Sequence, residues 1–289
     1  MHDLLIAPFV EFGFLRRALV GCLALSVSAP VLGLFLVLRR MSLTADVLAH
    51  GALPGVALAF LLAGLSAPAL WFGGLVAGLL VAVGAGALSR ATGGREDATL
   101  AALYLVALGL GVAMISMGGG GAADLSHILF GNVLGVDDAA LLLMAGVSTL
   151  TLALLAFAWR PLVLECFDPS FAAAAGARGG AWHLLFQGLV VLNVLSAFQA
   201  LGTLMAVGLM MLPAIAARHW ARQVSGMAYA AVGVALASSV VGILVSYHLD
   251  VPTGPAIVLV AGAAWAVSVL AGPVDGLLAR LMRRRHLAG

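Results

Sequence analysis

Residues 41–64 read MSLTADVLAHGALPGVALAFLLAG, an apolar run long enough to cross a bilayer that still carries an aspartate and a histidine four positions apart. The rest of the chain explains why that run must be read as a membrane segment. Of its 289 residues, 63% are hydrophobic and 9% charged, whereas a soluble domain carries roughly 25% charge. A water-exposed surface cannot be assembled from so few charges, so the composition identifies a membrane protein.

Working outward, breaks at charged or turn-rich positions leave apolar segments at 18–38, 42–64, 67–89, 98–117, 139–159, 183–201, 203–217, 224–246 and 254–272. Most have the roughly 17 to 25 residues that a spanning helix needs. The sixth and seventh are separated only by Gly202 and form either a tight hairpin or one broken helix. The fold class expected is all-α: a polytopic integral membrane helix bundle of about nine transmembrane helices, eight as the fallback, with a short re-entrant segment in 118–138. Residues 1–289 read as a single transmembrane domain, with a surface segment at 1–17, a cytoplasmic loop at 160–182 and a basic tail at 273–289. The run 18–38 exceeds the roughly 7 to 15 residues of a signal-peptide core and is read as a retained span. Small residues, as in GGLVAGLLVAVGAGAL at 73–88, let helices approach closely in lipid and predict a compact bundle.

All fourteen basic residues are arginine. A Walker A loop needs a lysine, so any ATP chemistry must come from a partner. A net charge of +2 gives no basis for nucleic-acid binding, and the RRR run at 283–285 suits anionic lipid instead. If nine segments alternate, Arg39, Arg40, Arg90, Arg95, Arg160, Arg178, Arg218, Arg222, Arg280 and Arg283 to Arg285 share one side, which the positive-inside rule makes the cytoplasm. Arg16 and Arg17 alone dissent. Cys22 and Cys166 are too few and too differently placed for a disulfide framework and read as free thiols.

Asp46 is the acid placed within a span, and a charge near the bilayer centre costs roughly 2.5 to 3.5 kcal/mol on the insertion scale. His50 lies about 6 Å further along the same helix face. A carboxylate and an imidazole so arranged can hold a divalent ion, Zn²⁺, Mn²⁺ or Fe²⁺ in preference to Cu⁺. They also fit a plain helix-start cap joined by one hydrogen bond. Pro54, one turn on, frees a backbone carbonyl that can line a cavity. In the link 118–138, Asp124 and His127 either guide a cation or pin a short re-entrant helix. Glu96 and Asp97 favour a helix N-terminus electrostatically. Within 160–182, Asp168 suits an N-cap, Pro169 the first helical position and Gly176 the stop, which encodes a short alanine-rich helix. Pro213, Pro252, Gly254 and Pro255 mark helix breaks of the kind that line transport paths. The methionines at 114, 117, 205, 210 and 211 read as packing rather than soft-metal ligands.

The blocks MSLTADVLAHGALPGVALAFLL, EDATLAALYLVALGLGVAMIS, DLSHILFGNVLGV, FDPSFAAAAG, LGTLMAVGLMMLPAIAAR and DVPTGPAIVL resemble, in order and spacing, the membrane permease of ATP-binding-cassette importers for zinc and manganese. The resemblance runs from about Arg17 to Ala271. It implies a homodimer of permease chains in the bacterial cytoplasmic (inner) membrane, a cytosolic ATP-binding subunit that carries the ATP, and an extracytoplasmic metal-binding protein. It further implies no catalysis by this chain, no permanently bound cofactor, and transported Zn²⁺ first or Mn²⁺ next, with Asp46 and His50 on the metal path. The segment containing Phe167, Asp168, Pro169, Ala174 and Gly176 is similar to the part that seats on the ATPase. Ala45 and Ala49 stand where family members often have glycine and serine, which removes hydroxyl support for the metal. The alternative is a proton-coupled secondary metal transporter with Asp46 as its proton site.

Overall fold

The computed structural model describes residues 9–10, 12–64, 66–93, 95–117, 136–168, 171, 179–274 and 276–279, the side chains at 199 and 200 excepted. In chain order the helices are α1 (Gly13–Leu38), α2 (Thr44–Gly51), α3 (Leu53–Ala63), α4 (Ala67–Thr92), α5 (Glu96–Met117), α6 (Asp138–Phe167), α7 (Gly179–Leu201), α8 (Thr203–Ala217), α9 (Val224–Leu249) and α10 (Thr253–Ala271). Among the described residues, eight segments are long and apolar enough to cross a membrane, with α2 and α3 together counting as one, and α8 is shorter. The re-entrant segment expected in 118–138 lies outside the described residues apart from its end.

α1 is the axis of the bundle. Its apolar surface is covered by α6, α7, α8 and α9, and lipid alone would give these helices little reason to associate. Two features supply the reason. Gly33 sits where any Cβ would collide with the backbone of Met210, so α1 and α8 touch main chain to main chain. Buried hydroxyls and amides then stitch neighbours together. Ser28 donates to Asn193 Oδ1 at 2.8 Å, the Asn193 amide donates to Thr151 at 2.6 Å, and the Ser26 and Ser239 hydroxyls meet at 2.9 Å. These bonds join α1 to α7, α7 to α6 and α1 to α9.

The Arg39 end gathers the C-terminus of α1, the start of α7 and the end of α6 through contacts of Phe35 with Phe186 and Trp159. The opposite end holds Arg17 against Asp138 at 3.2 Å and Phe12 against Tyr247. Arg17, which breaks the arginine pattern, is thus neutralised locally by a carboxylate. Asn193 of α7 meets Ser28 of α1 and Phe186 meets Phe35, so α7 runs antiparallel to α1, and Met210 of α8 lies against Gly33, between those two levels, so α8 doubles back along α7. The α7–α8 junction is therefore a hairpin turn. Gly202 makes it at φ +83° and ψ 162°, a region that only glycine occupies comfortably. With 15 residues α8 spans about 22 Å of a roughly 30 Å hydrocarbon core. The turn lies below the membrane surface, and Leu201 and Thr203 beside it are buried, as irregular backbone at that depth requires.

Candidate metal site

The expected span 42–64 is not one helix. Pro54 denies the His50 carbonyl its usual donor, the Ala52 N–H takes that carbonyl instead, and the chain restarts as α3 at Leu53. Asp46 and His50 therefore both belong to the short α2. His50 Nδ1 is 3.1 Å from the Asp46 carbonyl oxygen and 3.4 Å from Asp46 Oδ1. Both neighbours are acceptors, so Nδ1 carries the proton and Nε2 keeps the lone pair that a metal needs. The ring is held by an edge contact with Tyr104 of α5, 5.9 Å between centroids.

The pair is open on one side, with the Asp46 side chain 47% exposed and that of His50 21%. No group of three or more His, Cys, Asp or Glu occurs among the described residues, so the described part of one chain supplies two ligands. By the arginine assignment Asp46 lies near the cytoplasmic end of its span, with His50 deeper. Pro252, Gly254 and Pro255 lie at the start of α10, and Pro213 is buried inside α8, which continues through it. Asp168 Oδ1 accepts the Phe171 N–H at 2.8 Å, an N-cap bond, and Phe167 is exposed. Asp124, His127, Pro169, Ala174 and Gly176 fall outside the described residues. Met205, Met210 and Met211 are buried in the packing around α8.

One polar cluster was not legible as such in the sequence. The Arg39 guanidinium donates to Glu165 Oε2 at 2.6 Å, meets His183 Nδ1 at 3.0 Å and lies 4.7 Å above the Phe186 ring. Arginine only donates, so Nδ1 accepts and His183 is neutral, with its Nε2–H directed to Glu96 Oε1 at 2.7 Å. Gln187 donates to the same oxygen at 2.7 Å. The chain of bonds ties together the cytoplasmic ends of α1, α5, α6 and α7. The only signal in the sequence was a polar Gln187 within an apolar run.

A polytopic helix bundle is what the comparisons with known proteins also describe. The profile of the ABC 3 transport family matches residues 11–272. The chain belongs to the ABC 3 transport family. Its relatives include the "Manganese transport system membrane protein MntC" of Halalkalibacterium halodurans, 31% identical over 96% of this chain and 94% of that protein. Another is the "Probable iron transport system membrane protein" of Haemophilus influenzae, 32% identical over 93% and 97%. Among solved structures, PsaBC from Streptococcus pneumoniae in complex with Fab has a chain that superposes with a TM-score of 0.85 at 30% identity, covering 99% of this chain and all of that one. As an ABC 3 member the chain is a multi-pass permease subunit of a bacterial metal importer in the cytoplasmic membrane. It is not an enzyme, and the ATPase is a separate subunit.

Proposed function

We propose that two copies of this chain form the path by which a divalent transition metal enters the cytoplasm, with Asp46 and His50 of each copy as its ligands. The observation that carries this reading is the α2 geometry: Nδ1–H is engaged by Asp46, Nε2 is left as a donor atom, and the pair is half-open and one ligand set short of a complete sphere. Two such sets provide two carboxylates and two imidazoles, enough for a four-coordinate ion. Manganese is the cargo favoured over zinc, because it is the metal named most often among the relatives. An exposed carboxylate with room for water also suits Mn²⁺. Zinc binds nitrogen and oxygen ligands more tightly by the Irving–Williams order, so it competes for the site and passes more slowly.

An extracytoplasmic binding protein delivers the ion, Asp124 and His127 guide it inward, and ATP on a cytosolic partner drives the cycle through the segment from Phe167 to Gly176. The test is uptake and metal-stimulated ATPase activity of the reconstituted complex, with manganese and zinc compared. Asp46→Ala and His50→Ala are expected to abolish transport of both metals. Full uptake by both variants would remove the pair from the path, and uptake driven by a pH gradient without the ATPase would favour the proton-coupled alternative.

A further inference from the structure

A groove of about 570 Å³ lies between α6 and α9, floored by Val27 and Val31 of α1. It lies away from the metal pair, since α2 packs against α4, α5, α7 and α8. The groove is polar at one end only. Arg160 near the end of α6 and Ser225 in the first turn of α9 line it, as do Leu152 and Leu155 further back along α6, Val232 further along α9, and Val27 and Val31 of α1. From residue 160 to residue 152 is about 12 Å along the helix, a depth that stays within one leaflet. Arg160 is exposed and has neither an ion pair nor a hydrogen bond among the described residues. It sits at the end that carries Arg39, Arg218 and Arg222, the cytoplasmic one by the positive-inside rule, where the leaflet holds the anionic lipids.

We propose that this groove seats an anionic glycerophospholipid of the cytoplasmic leaflet, with its phosphate on Arg160 and an acyl chain against α1. The order of side chains matches the order of groups in the lipid: a cation and a hydroxyl at headgroup level, then branched aliphatics. Tyr229 at the rim is 81% exposed, which suits an amphipathic ring at the interface. A partner helix would have to bring its own carboxylate to Arg160 and expel lipid from an apolar trough, whereas a phospholipid is present already.

Trp159 also lines the groove and provides the probe. The full chain is reconstituted in vesicles with phosphatidylglycerol or phosphatidylcholine brominated on the acyl chains. The Trp159 contribution to fluorescence quenching is taken as the difference between wild type and Trp159→Phe. The expected result is about a five-fold preference for brominated phosphatidylglycerol, the equivalent of about 1 kcal/mol for one arginine at an anionic surface. Arg160→Gln abolishes the preference, Arg160→Lys retains most of it, and Arg222→Gln, a change of equal charge outside the groove, leaves it intact. Ala156→Phe, which fills the trough without adding a tryptophan, lowers quenching by both lipids without removing the arginine. Equal quenching by the two lipids in wild type, retention of the preference in Arg160→Gln, or loss of Trp159 quenching when the complex assembles, as a covering partner helix would cause, overturns the proposal.

Discussion

Arg39 has an 8% exposed side chain and Glu165 a 16% exposed one, so neither charge is relieved by water if the other is lost. Removing one member of such a pair is costly, about 3 kcal/mol or more, because the survivor stays desolvated. Arg39→Gln is therefore expected to lower the thermal midpoint in detergent by many degrees. Arg39→Met combined with Glu165→Leu is expected to recover most of the loss, since an apolar pair leaves no orphan charge. Recovery is read by near-UV circular dichroism or intrinsic fluorescence melts; if the double variant melts no higher than Arg39→Gln, charge pairing is not what holds this corner. Asp46 poses the opposite case. It is half exposed and among the described residues its side chain meets His50, four residues on in the same helix, so Asp46→Asn is expected to leave the melting temperature within a degree or two. Metal-dependent transport in the same variant is expected to fall at least about ten-fold, one carboxylate–metal interaction being worth more than about 1.4 kcal/mol. A parallel loss of stability and transport would mark Asp46 as structural.

Helix breaks are where local sequence and tertiary packing part company. Gly202 between two apolar runs permits both a hairpin, which gives the nine-helix count, and a single broken helix, which gives the eight-helix fallback. The decision comes from Gly33 against Met210, at a level of α1 between the Ser28–Asn193 and Phe35–Phe186 contacts, contacts between elements far apart in the chain. Gly202→Ala forces a Cβ into φ +83°, ψ 162° and is expected to cost about 1 to 3 kcal/mol. Gly109→Ala, with nothing near its added Cβ, is expected to be neutral or mildly stabilising in the same melt; equal melting points would show that the turn is not strained by a side chain. Spans and their order were legible because hydrophobic length alone specifies them. The Asp46–His50 pair was legible too, since four-residue spacing on a helix is a local property. The Arg39–His183–Glu96 chain was not, because its members come from α1, α7 and α5 and each looks like an ordinary helix-end polar residue. The split of 42–64 into α2 and α3 follows from Pro54, a break legible in the sequence; which carbonyl it frees, that of His50, is set by the helical register.

For the whole molecule, the status of α8 decides the sidedness of everything after it. If α7 and α8 cross once as a broken helix, Arg218, Arg222, Arg280 and Arg283 to Arg285 lie outside, six of the fourteen arginines against the cytoplasmic bias. If the Gly202 turn is a hairpin, all six lie inside. α8 is too short to cross unaided, but it need not reach the outer surface when its turn is enclosed by protein: Leu201, Gly202 and Thr203 are buried, so no unsatisfied backbone meets lipid. Single cysteines in a Cys22→Ser, Cys166→Ser background separate the two arrangements. In intact cells a membrane-impermeant maleimide is expected to label Val251→Cys, in the exposed link between α9 and α10, and Ser66→Cys, between α3 and α4, but not Arg222→Cys. Permeabilised cells should label all three. Labelling of Arg222→Cys and protection of Val251→Cys in intact cells would mean that the chain crosses once between 179 and 217, leaving Arg218, Arg222, Arg280 and Arg283 to Arg285 on the extracytoplasmic side against the positive-inside rule.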